Sequence, residues 1–455
     1  MTAEFEKNIE MARKIARLVD QAGGRAFYVG GFVRDALMNR ENKDIDVELH
    51  GVTPRQVEEI LDSLGNRLVM GASFGVFGLK GYDIDIAMPR QETLRGSGHR
   101  DFDVFVDPFI GTQKAAVRRD FTVNALMQDV LTGEIVDHFG GREDLQRGVI
   151  RHVCDQTFPE DPLRVLRAAQ FAARFGFSVA EETLALCRSM NLAALSRERI
   201  DGEMRKALLK APTPSVFFKT LRRMDQLEVW FPELKALIGV EQNPRHHAEG
   251  DVWTHTMMVI DAAAQFRSRT SNPLGLMLTA VTHDFGKAVC TEIVKGEIHA
   301  YGHESKGLPL IRQFLERITG ERKMIDYVLN LAANHMRPNT AAASGSSVKS
   351  TNRMFDESVD PEALILIALS DDLGKLPANV SGANEAFLSE RLAIYREYMA
   401  RPAVTGRDLI AAGLAPGADF SEILAYAHKL HLAGVEKESA LKQTLAYART
   451  QRRKG

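Results

Sequence analysis

The stretch Gly30-Gly31-Phe32-Val33-Arg34-Asp35, followed by Lys43-Asp44-Ile45-Asp46, decides the reading of this chain. The paired glycines suit a tight turn at the start of a helix, where backbone N–H groups and the helix dipole hold phosphates. An apolar β-branched residue separates Asp44 from Asp46. On a strand, side chains alternate between faces, so both carboxylates point the same way. Two hard oxygen ligands beside a phosphate cradle suit Mg²⁺ bridging a nucleoside triphosphate. The stretch therefore points to nucleotide transfer.

At 455 residues the chain exceeds the roughly 250–300 that one core holds, so more than one domain is expected. No apolar run approaches the roughly 18 residues that span a bilayer, and Met1 to Glu10 is polar, without a signal-peptide pattern. Cys154, Cys187 and Cys290 lie far apart with no metal-ligand spacing, which fits a reducing cytoplasm. The net charge of −2 conceals a gradient: Arg147 to Arg223 carries 14 Lys/Arg against 8 Asp/Glu. That local excess suits either a phosphate-binding face or a set of solvated helix surfaces.

Residues 1–140 alternate helical and strand patterns. Helices are expected over Phe5 to Gln21, Gly31 to Met38 and Thr53 to Leu64. Strands are expected over Ala26 to Val29, Asp44 to Leu49 and Tyr82 to Ala87, and around Phe77 and Ile135. The polar, Gly-containing segment Gln91 to Asp103 reads as a mobile loop. Beyond about residue 158 the strand pattern disappears and helical periodicity takes over. Asn339 to Thr351, rich in small residues, reads as a flexible loop. The fold class expected is α+β, a mixed sheet with helices followed by an all-α remainder.

Further residues extend the first site. Asp83 and Asp85 share a strand face, and a neighbouring strand would bring one of them beside Asp44 and Asp46; clustered carboxylates call for a metal. Arg118 and Arg119 offer planar, permanently charged forks for triphosphate oxygens. Asp120 and Asn124, at i and i+4, suit holding an arginine or a ribose hydroxyl. In Glu160-Asp161-Pro162-Leu163-Arg164-Val165-Leu166-Arg167, Pro162 suits the first turn of a helix and Asp161 its cap. Arg164 and Arg167 then lie one turn apart. Cytosine and adenine both present an amino donor beside a ring-nitrogen acceptor, which a carboxylate and a guanidinium match. Guanine and uracil present the reverse order and leave groups unpaired, at roughly 1–3 kcal/mol each. The pair Asp161/Arg164 thus suits selecting C and A without a template; the plainer alternative is a capped helix with an internal salt bridge.

Together these segments, from Tyr28 to about Leu234, resemble the class II tRNA nucleotidyltransferases, the CCA-adding enzymes, and the related bacterial poly(A) polymerases. The resemblance implies a polymerase-β-like nucleotidyltransferase head at 1–140 and a base-recognising neck at 141–210, where Arg197-Glu198-Arg199-Ile200 and Glu203 fall. It implies a tRNA-binding body at 211–245, entered at Phe231-Pro232-Glu233-Leu234. It assigns Mg²⁺ to Asp44 and Asp46; Asp85 is expected as a third catalytic carboxylate from the strand-face reading, with Asp83 as the alternative. Nucleotide contacts go to Gly31, Arg34, Arg118, Arg119, Asp120 and Asn124, and base readout to Asp161 and Arg164, with Arg167 as a further nucleotide contact. Gln91 to Asp103 falls where the family has a flexible loop needed for adding the final A. The implied partners are tRNA, CTP and ATP, in a monomer or homodimer.

Seven of the 13 histidines fall between His246 and His335, so this region calls for its own explanation. His255, His283-Asp284 and Asp371, with His303 and His335 between them, form an ordered series of imidazoles and carboxylates suited to a mid-series divalent metal. The series resembles the HD-type phosphohydrolases. The resemblance implies a metal on His255, His283, Asp284 and Asp371 (Ni²⁺, Co²⁺, Mn²⁺ or Mg²⁺), with His303 and His335 accessory, in a tail spanning 246–455. It also implies phosphatase, 2′-nucleotidase and 2′,3′-cyclic phosphodiesterase activities. The competing readings are a poly(A)- or A-adding polymerase, and an RNA-binding protein whose main activity lies in the HD unit.

Overall fold

The computed structural model describes residues 3–71, 76–94, 102–378 and 382–452. Two compact units divide at Trp230/Phe231, within the segment 211–245 that the sequence assigns to one body.

In the first unit, β1 (Arg25–Val29), β2 (Ile45–His50), β3 (Arg67–Gly71), β4 (Val76–Leu79), β5 (Ile84–Ala87), β8 (Met127–Asp129) and β9 (Ile135–Val136) form one sheet in the order β3-β4-β5-β2-β1-β8-β9. Only β2 and β5 run parallel within it; the other pairs described are antiparallel. Period-two alternation sorts the faces. Ile45, Val47 and Leu49 of β2 join Ile84 and Ile86 of β5 in a buried core. The helices Ala3–Gln21 and Pro54–Leu64 close it with Met11, Ile15, Val19, Val57 and Leu61. Asp46 and Glu48 are thereby left on the opposite face. Thr53 starts the second helix through a capping box with Gln56, and Pro54 occupies its first turn.

The segment Gln91 to Asp103, expected as a loop, is flanked by strands: β6 (Arg90–Leu94) pairs antiparallel with β7 (Phe102–Val106). The rest of it, 95–101, lies outside the described residues. Past residue 140 helices dominate, yet three short strand pairings interrupt the expected all-α pattern. One is the parallel pair β10 (Val149–Ile150) and β11 (Ser178–Val179); another is the hairpin β12 (Glu292–Val294) and β13 (Glu297–His299). An isolated bridge joins Phe121 to His152. Pairings of three residues or fewer are too short for alternation to register.

The second unit is built on helices Val252–Gln265, Pro273–Thr282, Arg322–Asn334 and Pro361–Leu373. Asn339 to Thr351, expected as a flexible loop, is mostly helical. The helix Met336–Ala343 runs into it, and Ser347 caps the helix Val348–Asp356 by accepting from Ser350 N–H. The Ala341–Ala343 run favours helix, so the small residues mark only the turn at 344–347. Among the described residues no helix is long and apolar enough to cross a membrane.

Candidate functional site

The first site is a cleft of about 670 Å³ in the first unit, lined by Gly30, Gly31, Arg34, Asp44, Asp46, Arg119, Asp120, Asn124, Asp161, Arg164 and Arg167 among others. Asp46 stands opposite Asp85 in the parallel β2/β5 register. Burial, together with the charges of Asp85 and Asp44, pushes the Asp46 carboxyl up to about 6 against the pull of Arg119. A cation relieves such repulsion, so the residues fit a divalent metal. Asp85 and Arg118 do not line the cleft.

A hydrogen-bonded chain holds the carboxylates to the cation side. Asn42 Oδ1 accepts from Asp44 N–H at 3.0 Å, and Asn42 Nδ2 donates to Asp35 Oδ2 at 2.9 Å. Arg34, buried, donates from Nε to Asp35 Oδ1 at 2.8 Å and from Nη1 to Asn124 Oδ1 at 2.6 Å. Asn124 Nδ2 donates to Asp120 Oδ1 at 2.9 Å, and Asp120 Oδ2 accepts from Arg167 Nε at 2.7 Å. Asp120 and Asn124 thus each hold an arginine, one of the two roles their spacing allowed. The rings of Phe171 and Phe175 back the guanidinium of Arg34, whose Cζ lies 5.2 and 4.6 Å from their centroids.

Gly30 is required by conformation, and its closeness to the site is shown by what a side chain there would meet. Its φ is +66°, and a Cβ there would stand 3.3 Å from Arg119 Nη1 and 3.8 Å from Asp46 Oδ2. Arg119 donates to Glu48 Oε2 at 3.1 Å, while Arg118 turns to Glu160 Oε2 at 2.8 Å. Adjacent residues that look interchangeable in sequence therefore face different partners.

Asp161 and Arg164 share the cleft but do not bond each other. Both Asp161 oxygens accept from Arg199 Nη2, at 3.0 and 2.8 Å, and Oδ1 accepts from Leu163 N–H at 3.0 Å. The helix Leu163–Phe175 takes Pro162, not Asp161, as its N-cap residue. Arg164 donates to the carbonyls of Thr157 (2.8 Å) and Arg118 (2.6 Å), which fix its fork. Arg199, which meets the cleft through Asp161, was not among the site residues expected from sequence, nor were Asn42, Arg174, Lys206 and Lys210, which line it. The approach of helices Leu163–Phe175 and Arg197–Lys210 brings in the four basic residues, whose sequence signal was the basic excess of Arg147 to Arg223; Asn42 comes from the segment ahead of β2.

The second site lies in the second unit. His283, Asp284, His255, Asp371, His303 and His335 are all buried, and two groups, His255/His283/Asp371 and Asp284/His303/His335, each bring their donor atoms within 4.8 Å. Asp284 joins them. Its Oδ2 is 3.3 Å from His283 Nε2 and 3.6 Å from His255 Nε2; its Oδ1 is 3.3 Å from His303 Nε2 and 3.9 Å from His335 Nε2.

Backbone geometry orients the imidazoles. His283, His303 and His335 each bond through Nδ1 to the carbonyl three residues earlier, at Ala280 (3.0 Å), Ala300 (3.0 Å) and Ala332 (2.7 Å). Helix ends leave such carbonyls unsatisfied, and His283 and His335 sit at the ends of their helices. His255 lies inside a helix and rests its Nδ1 on Glu249 instead, at 3.0 Å. All four Nε2 atoms therefore face the carboxylates. Burial and the neighbouring His283 hold His335 down at about 3, so its Nε2 lone pair stands 3.4 Å from His303 Nε2. His283 Nε2 and both oxygens of Asp284 make no formed hydrogen bond among the described residues, although Lys287 Nζ stands 2.7 Å from Asp284 Oδ2. Convergent lone pairs and orphaned carboxylate oxygens fit a divalent metal.

Glu249 and His247 escaped the sequence reading. Glu249 is fully buried at its side chain and accepts from His247 Nδ1 (2.7 Å), His255 Nδ1 and Leu376 N–H (3.0 Å). Burial opposes charge on His255, yet hydrogen bonds to Asp371 and Glu249 lift it to about 9.

Comparison with known proteins fits this geometry. Residues 26–151 match the family described as the Poly A polymerase head domain, and 176–238 that described as the probable RNA and SrmB-binding site of polymerase A. A multifunctional CCA protein of Pasteurella multocida is 35% identical over 402 residues, covering 86% of this chain and 92% of the relative. One of Actinobacillus pleuropneumoniae serotype 5b is 37% identical over 316 residues, 68% of this chain and 74% of the relative. The Bacillus stearothermophilus CCA-adding enzyme, solved in complex with CTP, shares the fold at a TM-score of 0.66 and 22% identity, with 100% of both chains covered. The chain belongs to the family of bacterial CCA-adding enzymes.

Proposed function

We propose that the first unit adds C, C and A in turn to the 3′ end of tRNA from CTP and ATP, releasing pyrophosphate. One observation carries this reading: Asp44 and Asp46 line the same cleft as Asp161 and Arg164, so metal-binding carboxylates and base-reading groups share one nucleotide-sized space. Family membership supports it, since the curated relatives are named multifunctional CCA proteins.

In this reading Gly30 and Gly31 admit the triphosphate closely, with Arg34 and Arg119 on its oxygens. Asp44 and Asp46, with Asp85 beside them, would hold Mg²⁺, which would supply Lewis-acid polarisation and a more acidic 3′-hydroxyl. The RNA 3′-oxygen attacks the α-phosphorus, the bond to the bridging oxygen breaks, and pyrophosphate leaves with the electron pair. Asp161 accepts from the amino group of C or A while Arg164 donates to the ring nitrogen. For that, Arg199 yields one carboxylate oxygen. Arg118 contributes by holding Arg164 through its carbonyl, and Asp120 by holding Arg167. Positioning and electrostatics account for the rate. The basic segment Arg147 to Arg223 meets the tRNA backbone.

The second unit hydrolyses phosphoesters at the centre formed by His255, His283, Asp284 and Asp371 with His303 and His335. His255, His283, Asp284 and Asp371 would hold a divalent metal, Ni²⁺, Co²⁺ or Mn²⁺ by the preference of imidazole ligands, which would supply Lewis-acid activation near neutral pH. Lys287 and Lys375 stand beside Asp284 and Asp371 to meet the phosphate oxygens.

Separate substitutions test the division of labour. Asp46→Asn is expected to abolish CCA addition and keep phosphoester hydrolysis, and His283→Ala to do the converse. Continued tRNA extension by Asp46→Asn would overturn the assignment.

A further inference from the structure

Asp46, Glu48 and His50 alternate along β2 and share the face turned away from the larger core. Asp46 lines the cleft, whereas Glu48 and His50 are buried. A buried carboxylate is costly unless its oxygens are paired, and both oxygens of Glu48 are. Oε1 meets His50 Nε2 at 2.8 Å, and Oε2 accepts from Arg119 Nη2 at 3.1 Å. Phe27 sets the His50 ring in turn, with centroids 5.3 Å apart and planes at 85°. The carboxylate is therefore pinned at both ends, and Arg119 is anchored through one nitrogen.

The other terminal nitrogen of Arg119 faces the glycine turn. A Cβ on Gly30 would stand 3.3 Å from Arg119 Nη1 and 3.8 Å from Asp46 Oδ2, so guanidinium and carboxylate flank one point that glycine leaves empty. Among the described residues they nonetheless form no ion pair; the partner of Arg119 is Glu48. Guanidinium and carboxylate pair readily, often through two bonds, and such a pair would occupy the oxygens that a metal needs. Glu48 supplies the competing partner, two residues along the same strand face.

We propose that Glu48 is a positioning residue of the first cleft: by anchoring Arg119 it keeps the guanidinium off Asp46, leaving Asp46 open to a divalent metal and Arg119 to phosphate oxygens. The inference rests on the nucleotidyl-transfer reading only for what the metal and the arginine then serve. His50 supports the arrangement by fixing the second oxygen of Glu48. Without Glu48, Arg119 turns to Asp46 and competes with the metal.

The test is Mn²⁺ binding to the full-length chain, read by electron paramagnetic resonance in a His255→Ala/His283→Ala background that removes the second centre. Asp46→Asn, the loss of a direct ligand, is expected to weaken binding by about a hundredfold or more. Glu48→Ala is expected to weaken it about tenfold while Arg119 is present, and by no more than about twofold when combined with Arg119→Ala. Glu48→Gln, which keeps the shape and one acceptor, should fall between wild type and Glu48→Ala, and it carries the comparison if Glu48→Ala does not fold. A purely structural role would weaken binding equally with and without Arg119; equal losses, or no loss, overturn the inference. If Asp46→Asn leaves Mn²⁺ affinity unchanged, the metal assignment of the cleft fails and the positioning role falls with it. If the expected binding pattern appears in a chain that does not extend tRNA, the CCA-adding reading fails and the positioning role stands.

Discussion

Asp46 on β2 lies in register with Asp85 on β5, across the one parallel strand pair of the sheet. The pairing puts a third carboxylate beside Asp46; Asp44 and Asp83 each stand one residue ahead of their strands, and of these two the charge of Asp44 acts on the Asp46 carboxyl. Asp85→Asn should therefore slow single-turnover nucleotide incorporation by about tenfold or more, and Asp46→Asn by at least about a hundredfold. Asp83→Asn should stay within about twofold. Equal losses at Asp83 and Asp85 would show that the register does not define the site.

Arg199 occupies both oxygens of Asp161. Arg199→Ala should leave Asp161 free and more mobile, raising KM for CTP and ATP alike. Arg164→Ala should relax selection instead: incorporation of UTP and GTP relative to CTP and ATP should rise by roughly 5–150-fold, the equivalent of 1–3 kcal/mol. Misincorporation assays on tRNA ending in CC or lacking CCA read this directly. An unchanged ratio would remove Arg164 from base readout.

Asp120 and Arg167 predict a pH dependence of stability. Burial opposes ionisation of Asp120, but Arg167, Asn124 and the Phe121 N–H overcome it and hold its carboxyl below the ordinary 3.8. A depressed folded-state value means the contribution is complete above about pH 4 and is lost as pH falls through the lower folded value. Asp120→Asn should cost about 1–2 kcal/mol at pH 7, since it removes a charged hydrogen-bond partner from the half-buried Arg167 guanidinium, and the gap to wild type should narrow below pH 4. Denaturant melts across pH 3–7 measure it; a gap constant across that range would contradict the account.

Glu249 is expected to act through His255. Glu249→Gln in an Asp44→Asn/Asp46→Asn background, which removes the first metal site, should weaken Mn²⁺ binding by about 10–100-fold. His255→Ala should weaken it further. Calorimetric titration distinguishes the two, and unaltered affinity in Glu249→Gln would leave Glu249 with a purely structural role.

What the sequence made legible follows from local rules. Asp46 was readable because strand alternation is a two-residue property, with Asp44 one residue ahead of the strand, and the histidine series because its order resembles the HD-type pattern. Partners across long separations were not. Nothing near Asp161 signals Arg199, 38 residues on, and Arg118 and Arg119 differ only in which side of the turn each leaves. Glu249 was hidden because a lone buried glutamate has no periodic signature. The run Asn339 to Thr351 misled because Ala, Ser and Gly together resemble a loop, although alanine alone favours helix. The β6 strand was missed because its mostly polar residues, Arg90-Gln91-Glu92-Thr93, mask alternation.

The central claim is that one cleft in the first unit builds CCA. The most direct test is extension of tRNA lacking its terminal CCA in Mg²⁺, with CTP alone, ATP alone and both, resolved to single nucleotides. The account predicts two additions with CTP, and one further addition when ATP is present as well. A long adenosine ladder, or no extension at all, would contradict it.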